Sequence, residues 1–282
     1  MKLGASTLAY RRLPLVEALA HLRRLGFDTV DLGCIYPSYC PHFDPTAAGS
    51  GALTRVEDAL AGLRVATLTI GMAPWNNPDR IIRTAQIEFA IGSLRVARAL
   101  GAYAVTVQSG TKPKRAAEWD SAAQPAAEAI RFVMRRAEPL GVRLSAEIQS
   151  NALVETVEQA EQLLALINHP LVGVTVDTSH LVALGSDPAA VIERLGNRVR
   201  HVHLRDAKPG NYRLTPGDGA VQFAAVAGAL RKTGYDRACV IELEGELSPA
   251  EADEQLRRAR GHIEQAFAPP EKPGAWHDAS RR

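Results

Sequence analysis

Four ionisable side chains stand at the ends of strand-like segments and together have the chemistry of a divalent-metal site. Glu147, Asp177, His203 and Glu242 each end a run whose apolar residues alternate as in a buried strand. A carboxylate at a strand tip is costly to desolvate, and three carboxylates that converge without a cation repel one another. Three carboxylates and one imidazole suit Mn²⁺, Mg²⁺ or Co²⁺ better than the thiolate-rich sites of structural zinc. We therefore expect one metal site assembled from four separate segments.

Each residue taken alone also has a simpler interpretation. A single glutamate at a strand end is commonly solvated or a cap partner, and Asp177 followed by Thr and Ser also fits an Asx turn. His201 fits a packed, hydrogen-bonded barrel histidine better than a metal ligand. Arg205 either neutralises a developing oxyanion or pairs at the surface with Asp206, and the surface pair is the favoured interpretation. The occurrence of all four candidate ligands on neighbouring strands is what favours a shared site.

Strand-like and helix-like segments alternate along the chain. Strands are predicted at residues 3–8, 28–34, 64–70, 103–108, 142–148, 172–177, 199–204 and 238–243. Helices are predicted at residues 15–25, 53–61, 79–100, 116–140, 154–167, 188–195, 222–233 and 250–267, with a break expected at Pro125. Eight such units require a parallel sheet that closes into a single (β/α)₈ TIM barrel, an α/β fold.

An open, doubly wound sheet is the alternative fold. Such a sheet often has a glycine-rich phosphate turn after its first strand, which residues 8–14 lack. We expect residues 1–267 to form one barrel that is the catalytic domain. Residues 268–282, with three prolines among the first six, are expected to form an irregular C-terminal arm.

Side chains on the site strands sort onto two faces. Arg143, Ser145 and Glu147 alternate with apolar residues in strand five, and His201 and His203 do the same in strand seven. Alternate residues of a barrel strand point inward. The polar faces therefore line the barrel, and the reactive groups stand at the C-terminal strand ends, where barrel enzymes place them.

Long loops are predicted at residues 36–50 and 205–221, and His180 is predicted to lie in the loop after strand six. The aromatic residues in the loops after strands two, three and four are Tyr36, Tyr39, Trp75 and Trp119. These rings either wall a substrate from water or pack against neighbouring loops.

Composition excludes several classes of protein. The net charge is +2 with acidic and basic residues mixed, whereas tracking of nucleic-acid phosphates needs clustered Lys and Arg. An apolar share of 46% is enough for a large core and argues against disorder. Cys34, Cys40 and Cys239 are too few and too scattered for a disulfide framework, so we expect reduced thiols in a cytoplasmic protein. No signal-peptide core and no membrane-spanning run are expected.

Several short motifs give the chain a resemblance to a known family. They are Glu147, Asp177-Thr-Ser-His180, His201-Val-His203-Leu-Arg-Asp206, Pro216-Gly-Asp-Gly219 and Ile241-Glu242. With the eight strands, this pattern resembles the xylose isomerase-like sugar phosphate isomerase/epimerase superfamily of TIM barrels. The resemblance implies that Glu147, Asp177, His203 and Glu242 bind one divalent metal ion and that Glu147 and Glu242 are the catalytic acid/base pair. It also implies that His180 touches a substrate oxygen.

Further candidate substrate-binding residues are Arg205, Gln108 and Trp75, which end or follow neighbouring strands. Departures from relatives leave the substrate open. The endonuclease IV branch has extra histidine ligands and an Asp-x-His after strand seven, but here Asp218 is followed by Gly and Ala, which argues against DNA repair. Ketose epimerases grip the sugar with a further Glu and Arg, where this chain has Leu153 and Pro209.

The expected activity is divalent-metal-dependent isomerisation or epimerisation of a small sugar or polyol ketone. One glutamate removes a proton next to the carbonyl and the other returns it, while the metal polarises the carbonyl and stabilises the enediolate. Mn²⁺ is the expected cofactor, with Mg²⁺, Co²⁺ or Zn²⁺ as alternatives. The same site suits a dehydratase (β-elimination) on an inosose- or dehydroshikimate-like substrate, and a non-catalytic sugar-binding barrel is the alternative of another class. The expected partner is the small-molecule substrate, with no nucleic acid and no membrane, and a homo-oligomer is left open.

Overall fold

The computed structural model describes residues 1–35, 39–40, 42–47, 49–71 and 74–269. Eight parallel strands close into a barrel in the order β1-β10-β7-β6-β5-β4-β3-β2. They are β1 (Lys2–Ser6), β2 (Thr29–Gly33), β3 (Arg64–Thr69), β4 (Ala104–Gln108), β5 (Arg143–Ile148), β6 (Val172–Asp177), β7 (Val199–Leu204) and β10 (Ala238–Ile241). The predicted TIM barrel is confirmed, and each predicted strand agrees with an observed one to within two residues at either end.

Helices cover the outside of the barrel. They are α1 (Leu15–Arg24), α2 (Ser50–Leu60), α3 (Arg80–Ala99), α4 (Trp119–Ala137), α5 (Val157–Ile167), α6 (Thr178–Ala183), α7 (Pro188–Leu195), α8 (Phe223–Lys232) and α9 (Pro249–Phe267). Asp79 caps α3, because its side chain accepts the backbone N–H of Ile81 at 2.7 Å. The predicted break in α4 is wrong, since the helix runs through Pro125. None of the described helices is long and apolar enough to cross a membrane.

Two segments predicted as loops contain secondary structure. His180 lies in the short helix α6, because the Asp177 carboxylate caps the backbone N–H groups of Ser179 and His180. The segment after β7 forms an antiparallel hairpin of β8 (Asp206–Lys208) and β9 (Asn211–Leu214). Both segments follow strands that carry candidate site residues. Of the predicted C-terminal arm, residues 270–282 lie outside the described part of the chain.

The polar faces of the site strands point into the barrel, as the alternation predicts. Asp31 in β2 and His201 in β7 lie 2.6 Å apart (Oδ2 to Nε2) although two other strands separate them around one side of the barrel. Such a contact crosses the lumen. Ser145 and Thr175 bond to each other at 2.7 Å in the same interior. The alternate residues, Leu144 among them, are fully buried against the helices.

An aromatic ring and two arginines lie at the N-terminal ends of the strands and form the floor of the barrel. The guanidinium carbons of Arg143 and Arg237 lie 4.2 Å and 3.5 Å from the centre of the Tyr103 ring. Tyr103 precedes β4 and Arg237 precedes β10, and these strands stand on opposite sides of the barrel. Cation–π stacking therefore joins opposite walls of the barrel and leaves the reactive mouth at the other end.

A buried histidine anchors the loop after β2. His42 Nε2 lies 3.2 Å from the carbonyl oxygen of Tyr10 and 3.1 Å from that of Leu13, and its Nδ1 lies 3.1 Å from Thr7 Oγ1. Nε2–H donates to the two carbonyls, and Nδ1 accepts from the hydroxyl, so the neutral imidazole is fully satisfied. Burial lowers the pKa of His42 below its ordinary value, against the opposing effect of the two carbonyls.

We expect this histidine to make the fold less stable in acid. Below a pH of about 6.5 the unfolded chain takes up a proton at His42 that the folded chain does not, so the free energy of unfolding falls as the pH falls. The loss attributable to His42 develops as the pH falls from 7 to 5. Urea unfolding of the wild type and His42→Gln across this range measures it. The difference in stability between the two proteins shrinks toward low pH; two parallel curves would contradict the assignment.

Candidate active site

The four predicted metal ligands come together at the C-terminal mouth of the barrel. One ligand atom from each of Glu147, Asp177, His203 and Glu242 lies within 4.8 Å of those of the other three, and all four residues are buried. Asp177 and His203 are paired in the β6–β7 register, and Glu242 directly follows β10. The barrel thus brings residues that are 95 positions apart in the sequence, from 147 to 242, into one cluster.

Asp177 divides its two carboxylate oxygens between two tasks. Oδ1 accepts from the backbone N–H of Ser179 at 2.8 Å and from the Ser179 hydroxyl at 2.7 Å, as the Asx-turn interpretation requires. Oδ2 faces the cluster and lies 3.4 Å from Arg205 Nη1. Burial opposes ionisation, but Arg205, His180 and His203 hold the pKa of Asp177 below its usual value. The cap fixes the carboxylate and leaves one oxygen directed at the cluster.

The imidazole of His203 joins the two glutamates. Its Nδ1 lies 2.8 Å from Glu147 Oε1 and 3.6 Å from Glu242 Oε2. Although burial alone would lower the pKa of His203, the carboxylates of Glu242, Asp31 and Glu147 raise it well above its ordinary value. His203 is thus the common neighbour of both candidate acid/base residues.

Glu242 is the carboxylate with the least compensation. Burial, helped by repulsion from Glu147 and Glu244, raises the pKa of Glu242 to about 8 against the opposing effect of His203 and Arg205. Its Oε1 is buried, with no hydrogen-bond partner among the described residues. Together with Glu147, Asp177 and His203, this unpaired carboxylate oxygen completes a set of oxygen and nitrogen ligands that suits a hard divalent cation. The residues present therefore fit a metal ion.

Arg205 is part of this cluster and not of the surface. Its side chain is 3% exposed; Nη1 lies 3.4 Å from Asp177 Oδ2 and 3.3 Å from Glu242 Oε2, and Nη2 lies 3.2 Å from Glu244 Oε2. The favoured sequence interpretation, a surface pair with Asp206, is wrong. These carboxylates and Glu147 raise the pKa of Arg205 despite its burial, so the cation persists at the mouth of the barrel.

Asp206 instead organises the loop that carries the Pro-Gly-Asp-Gly motif. Its Oδ2 accepts the backbone N–H groups of Gly217 and Gly219, each at 2.9 Å, and its Oδ1 accepts that of Val221 at 3.0 Å. A Cβ at position 219 would lie 2.1 Å from Asp206 Oδ1, so only glycine fits there. This part of the motif shapes the wall of the mouth and leaves Arg205 free to face the cluster.

His180 lies beside the cluster under a tyrosine that the sequence did not single out. Its Nε2 is buried and has no hydrogen-bond partner in the described chain, and its Nδ1 accepts from the backbone N–H of Ser150 at 3.4 Å. The ring of Tyr212, in β9, lies 4.5 Å from the His180 ring between centres and 5.9 Å from the Arg205 guanidinium. Because the hairpin was predicted as a loop, no periodicity indicated that Tyr212 faces the site.

The remaining predicted substrate contacts separate into two groups. Gln108 ends β4, is paired in register with Glu147 and is partly exposed, so it stays a candidate. Trp75 differs from the prediction: its ring has no exposed surface and packs in the core, and its Nε1 donates to the Gln108 carbonyl at 2.9 Å. Trp119 is likewise buried and donates to the Leu153 carbonyl. These rings pack against neighbouring loops, and we do not retain Trp75 as a substrate contact.

Of the other two loop aromatics, Tyr39 packs beneath an arginine of the barrel mouth. Tyr39 is half-buried under the Arg11 guanidinium, which lies 4.4 Å from its ring centre. Burial, together with the charge of Glu244, raises the pKa of Tyr39 to about 12. Tyr39 therefore lies near Glu244, at the mouth of the barrel. Tyr36 lies outside the described residues.

Sequence reasoning missed Asp31, which lies directly below the cluster. It has no exposed surface, and its Oδ2 contacts both His201 Nε2, at 2.6 Å, and His203 Nε2, at 3.3 Å. Burial opposes its ionisation, but the two histidines hold the pKa of Asp31 below its usual value. The sequence signal that indicates Asp31 is a charged residue at an inward-facing position of an otherwise apolar strand. His201 fits the packed, hydrogen-bonded histidine that the sequence favoured.

A closed parallel barrel with carboxylates and histidines at its C-terminal mouth has the architecture of a TIM-barrel enzyme. A family model described as xylose isomerase-like TIM barrel matches residues 19–265. The chain belongs to this family, as the motif resemblance implied.

The chain is similar in sequence to inosose dehydratases and to a rhizopine catabolism protein. An inosose dehydratase from Clostridium beijerinckii is 25% identical over 158 residues, which cover 49% of this chain and 53% of that protein. The rhizopine catabolism protein MocC from Rhizobium meliloti is 28% identical over 269 residues, which cover 84% of this chain and 77% of that protein. The chain thus spans about half the length of the inosose dehydratase.

Solved structures share the fold at lower identity. A D-psicose 3-epimerase solved in the presence of D-fructose superposes with a TM-score of 0.79 at 18% identity, covering 95% of this chain and 100% of that one. The IOLI protein with a bound zinc atom gives the same TM-score at 20% identity, with the same coverage. At these identities the similarity establishes the barrel fold.

Proposed function

We propose that the protein is a divalent-metal-dependent isomerase or epimerase of a small sugar or polyol ketone. The observation that carries the proposal is the placement of two buried glutamates around one histidine nitrogen: Glu147 Oε1 and Glu242 Oε2 lie 2.8 Å and 3.6 Å from His203 Nδ1. Two carboxylates that face one position are what a proton transfer between two faces or two carbons of a substrate needs. A mere sugar-binding barrel has no use for this matched pair.

Glu147, Asp177, His203 and Glu242 would hold the metal ion. When bound, a divalent cation polarises the carbonyl of the substrate and so makes the neighbouring C–H bond more acidic. Glu147 and Glu242 exchange the proton, one as base and the other as acid. His180 Nε2, which is buried and unpaired within the described residues, is directed to a substrate hydroxyl, and Arg205 provides positive charge beside Asp177 and Glu242.

A dehydratase is the second candidate, and two observations favour it. The sequence relatives include inosose dehydratases, enzymes that by name remove water from a cyclic ketone. Leu153, one of the two residues where ketose epimerases carry a polar grip, is only 1% exposed, and its carbonyl accepts from Trp119. In this reaction one of Glu147 and Glu242 again removes the proton next to the carbonyl, and the hydroxyl on the neighbouring carbon takes a proton from the other glutamate and leaves as water.

Incubation with a panel of ketoses and inososes decides between the two reactions. We expect turnover with Mn²⁺ and its loss after dialysis against a chelator, because the four ligands act only around a cation. Mass spectrometry reads the product: unchanged mass indicates isomerisation or epimerisation, and a loss of one water indicates elimination. Substrate binding without any product from the whole panel, in protein that retains Mn²⁺, would overturn the proposed catalysis in favour of a binding barrel.

A further inference from the structure

We infer that Asp31 is a positioning residue that sets which nitrogen of His203 is offered to the metal ion; the inference rests on the proposed metal site. Asp31 Oδ2 lies 3.3 Å from Nε2 of the His203 ring, while the other nitrogen, Nδ1, faces Glu147 and Glu242. A neutral imidazole has one N–H and one acceptor nitrogen. A carboxylate beside Nε2 selects the tautomer with the proton there and so leaves the Nδ1 lone pair for the metal.

Asp31 is itself held from two further directions. Its Oδ1 accepts the backbone N–H of Thr67 at 3.0 Å, at the place where the register of β2 and β3 shifts and the strand ladder is irregular. Its Oδ2 also lies 2.6 Å from His201 Nε2, which donates to it. The carboxylate is therefore fixed before any metal binds, as a support for a ligand must be.

Few other groups near His203 could orient its ring in place of Asp31. The ring has no exposed surface, and its Nε2 has no well-aligned hydrogen bond within the described residues. His201 packs edge-on against it, with ring centres 4.9 Å apart, and limits its rotation. Asp31 is the acceptor that stands near Nε2. Burial of a carboxylate in an apolar strand costs desolvation free energy. A role in orienting His203 explains why a carboxylate is found at this position.

Replacement of Asp31 by Asn tests the inference through metal affinity. The amide oxygen can still accept from Thr67, but the amide group presents a donor to the histidines, so the Nε2–H tautomer of His203 loses its support. We expect calorimetric titration of the metal-free protein with Mn²⁺ to show binding weakened about ten- to a hundredfold. Asp31→Glu, which keeps the carboxylate, restores part of the affinity. Ser145→Ala, a change in the same buried barrel interior that removes only the hydrogen bond to Thr175, leaves the affinity near the wild-type value.

A second measurement needs no variant and is independent of whether Asp31→Asn folds. Histidine ¹⁵N NMR of the wild-type protein loaded with Zn²⁺ reports which ring nitrogen carries the proton. We expect His203 to show the proton on Nε2, and a proton on Nδ1 would overturn the inference. Equal Mn²⁺ affinity of Asp31→Asn and the wild type would also overturn it and leave the proposed function standing. Failure of the wild type to bind any divalent ion would refute the metal site and, with it, both proposals.

Discussion

Glu147→Gln is expected to retain the metal ion and lose proton transfer. Glutamine keeps an oxygen at the position of Glu147 Oε1, 2.8 Å from His203 Nδ1, so the donor set around the cation changes little. An amide does not accept a proton near neutral pH, so the acid/base pair loses one member. General acid–base catalysis contributes about a hundredfold to ten-thousandfold, and we expect the rate to fall by that factor.

Solvent deuterium exchange measures this step directly. Substrate incubated in D₂O with the wild type and Mn²⁺ gains deuterium next to its carbonyl, whether the final product is an isomer or an elimination product. With Glu147→Gln, incorporation falls by the factor given above while substrate and Mn²⁺ still bind in calorimetry. Exchange at the wild-type rate would refute the role of Glu147 as acid or base.

Glu244→Gln is the matched control for the loss of a carboxylate. Glu244 lies at the same mouth and contacts Arg205, but it is not one of the four clustered ligands. The same chemical change there removes one negative charge from the mouth and leaves both members of the acid/base pair in place. We expect exchange close to that of the wild type. A comparable loss in both variants would mean that the net charge of the mouth, not proton transfer by Glu147, controls the rate.

The sequence predicted the barrel and the four clustered residues for one physical reason. In parallel strands buried on both sides, a charged residue at a strand end is conspicuous, and closure of the sheet brings all C-terminal ends to one mouth. Alternation then indicates which side chains face inward. Asp177 forms the predicted Asx turn and still directs one oxygen at the cluster, because a carboxylate has two oxygens and the helix cap uses one of them.

What the sequence did not predict depends on contacts between distant segments. Asp31 reaches His201 and His203 across the lumen, and no spacing rule relates β2 to β7. Tyr212 faces His180 because a hairpin forms after β7, and residues 205–221 carry no strong alternation that would indicate it. Arg205 was predicted to pair with its neighbour Asp206, but the backbone N–H groups of a turn already satisfy that carboxylate.

Arg205→Met is expected to destabilise the metal-free protein strongly. The Arg205 guanidinium lies 3.2–3.4 Å from oxygens of Asp177, Glu242 and Glu244, and its removal leaves buried carboxylates without a compensating cation. The loss of one partner from a buried ion pair costs about 3–5 kcal/mol of unfolding free energy. Urea unfolding in the presence of a chelator measures this loss.

Arg11→Met is the matched control at the same mouth. Arg11 has a buried side chain, but the side chain of its ion-pair partner Glu246 is 69% exposed. Water therefore solvates the Glu246 carboxylate when the arginine is removed. We expect a loss of about 1 kcal/mol or less. Equal losses in the two variants would indicate that packing of the arginine stem, and not the compensation of buried carboxylates, determines the stability of the metal-free protein.

Addition of Mn²⁺ to Arg205→Met then tests whether the arginine and the metal ion share the same carboxylates. Arg205 Nη1 contacts Asp177 Oδ2 and Glu242 Oε2, oxygens of two proposed metal ligands. Without the arginine, these oxygens belong to the ion alone and one repulsive charge is absent, so metal binding tightens. Ligand at a hundred times its dissociation constant stabilises a fold by about 2.7 kcal/mol, and tighter binding raises this gain at a fixed Mn²⁺ concentration. We therefore expect Mn²⁺ to raise the melting temperature of Arg205→Met more than that of the wild type or Arg11→Met. An equal rise in all three proteins would show that Arg205 and the metal ion do not compete for the same carboxylates.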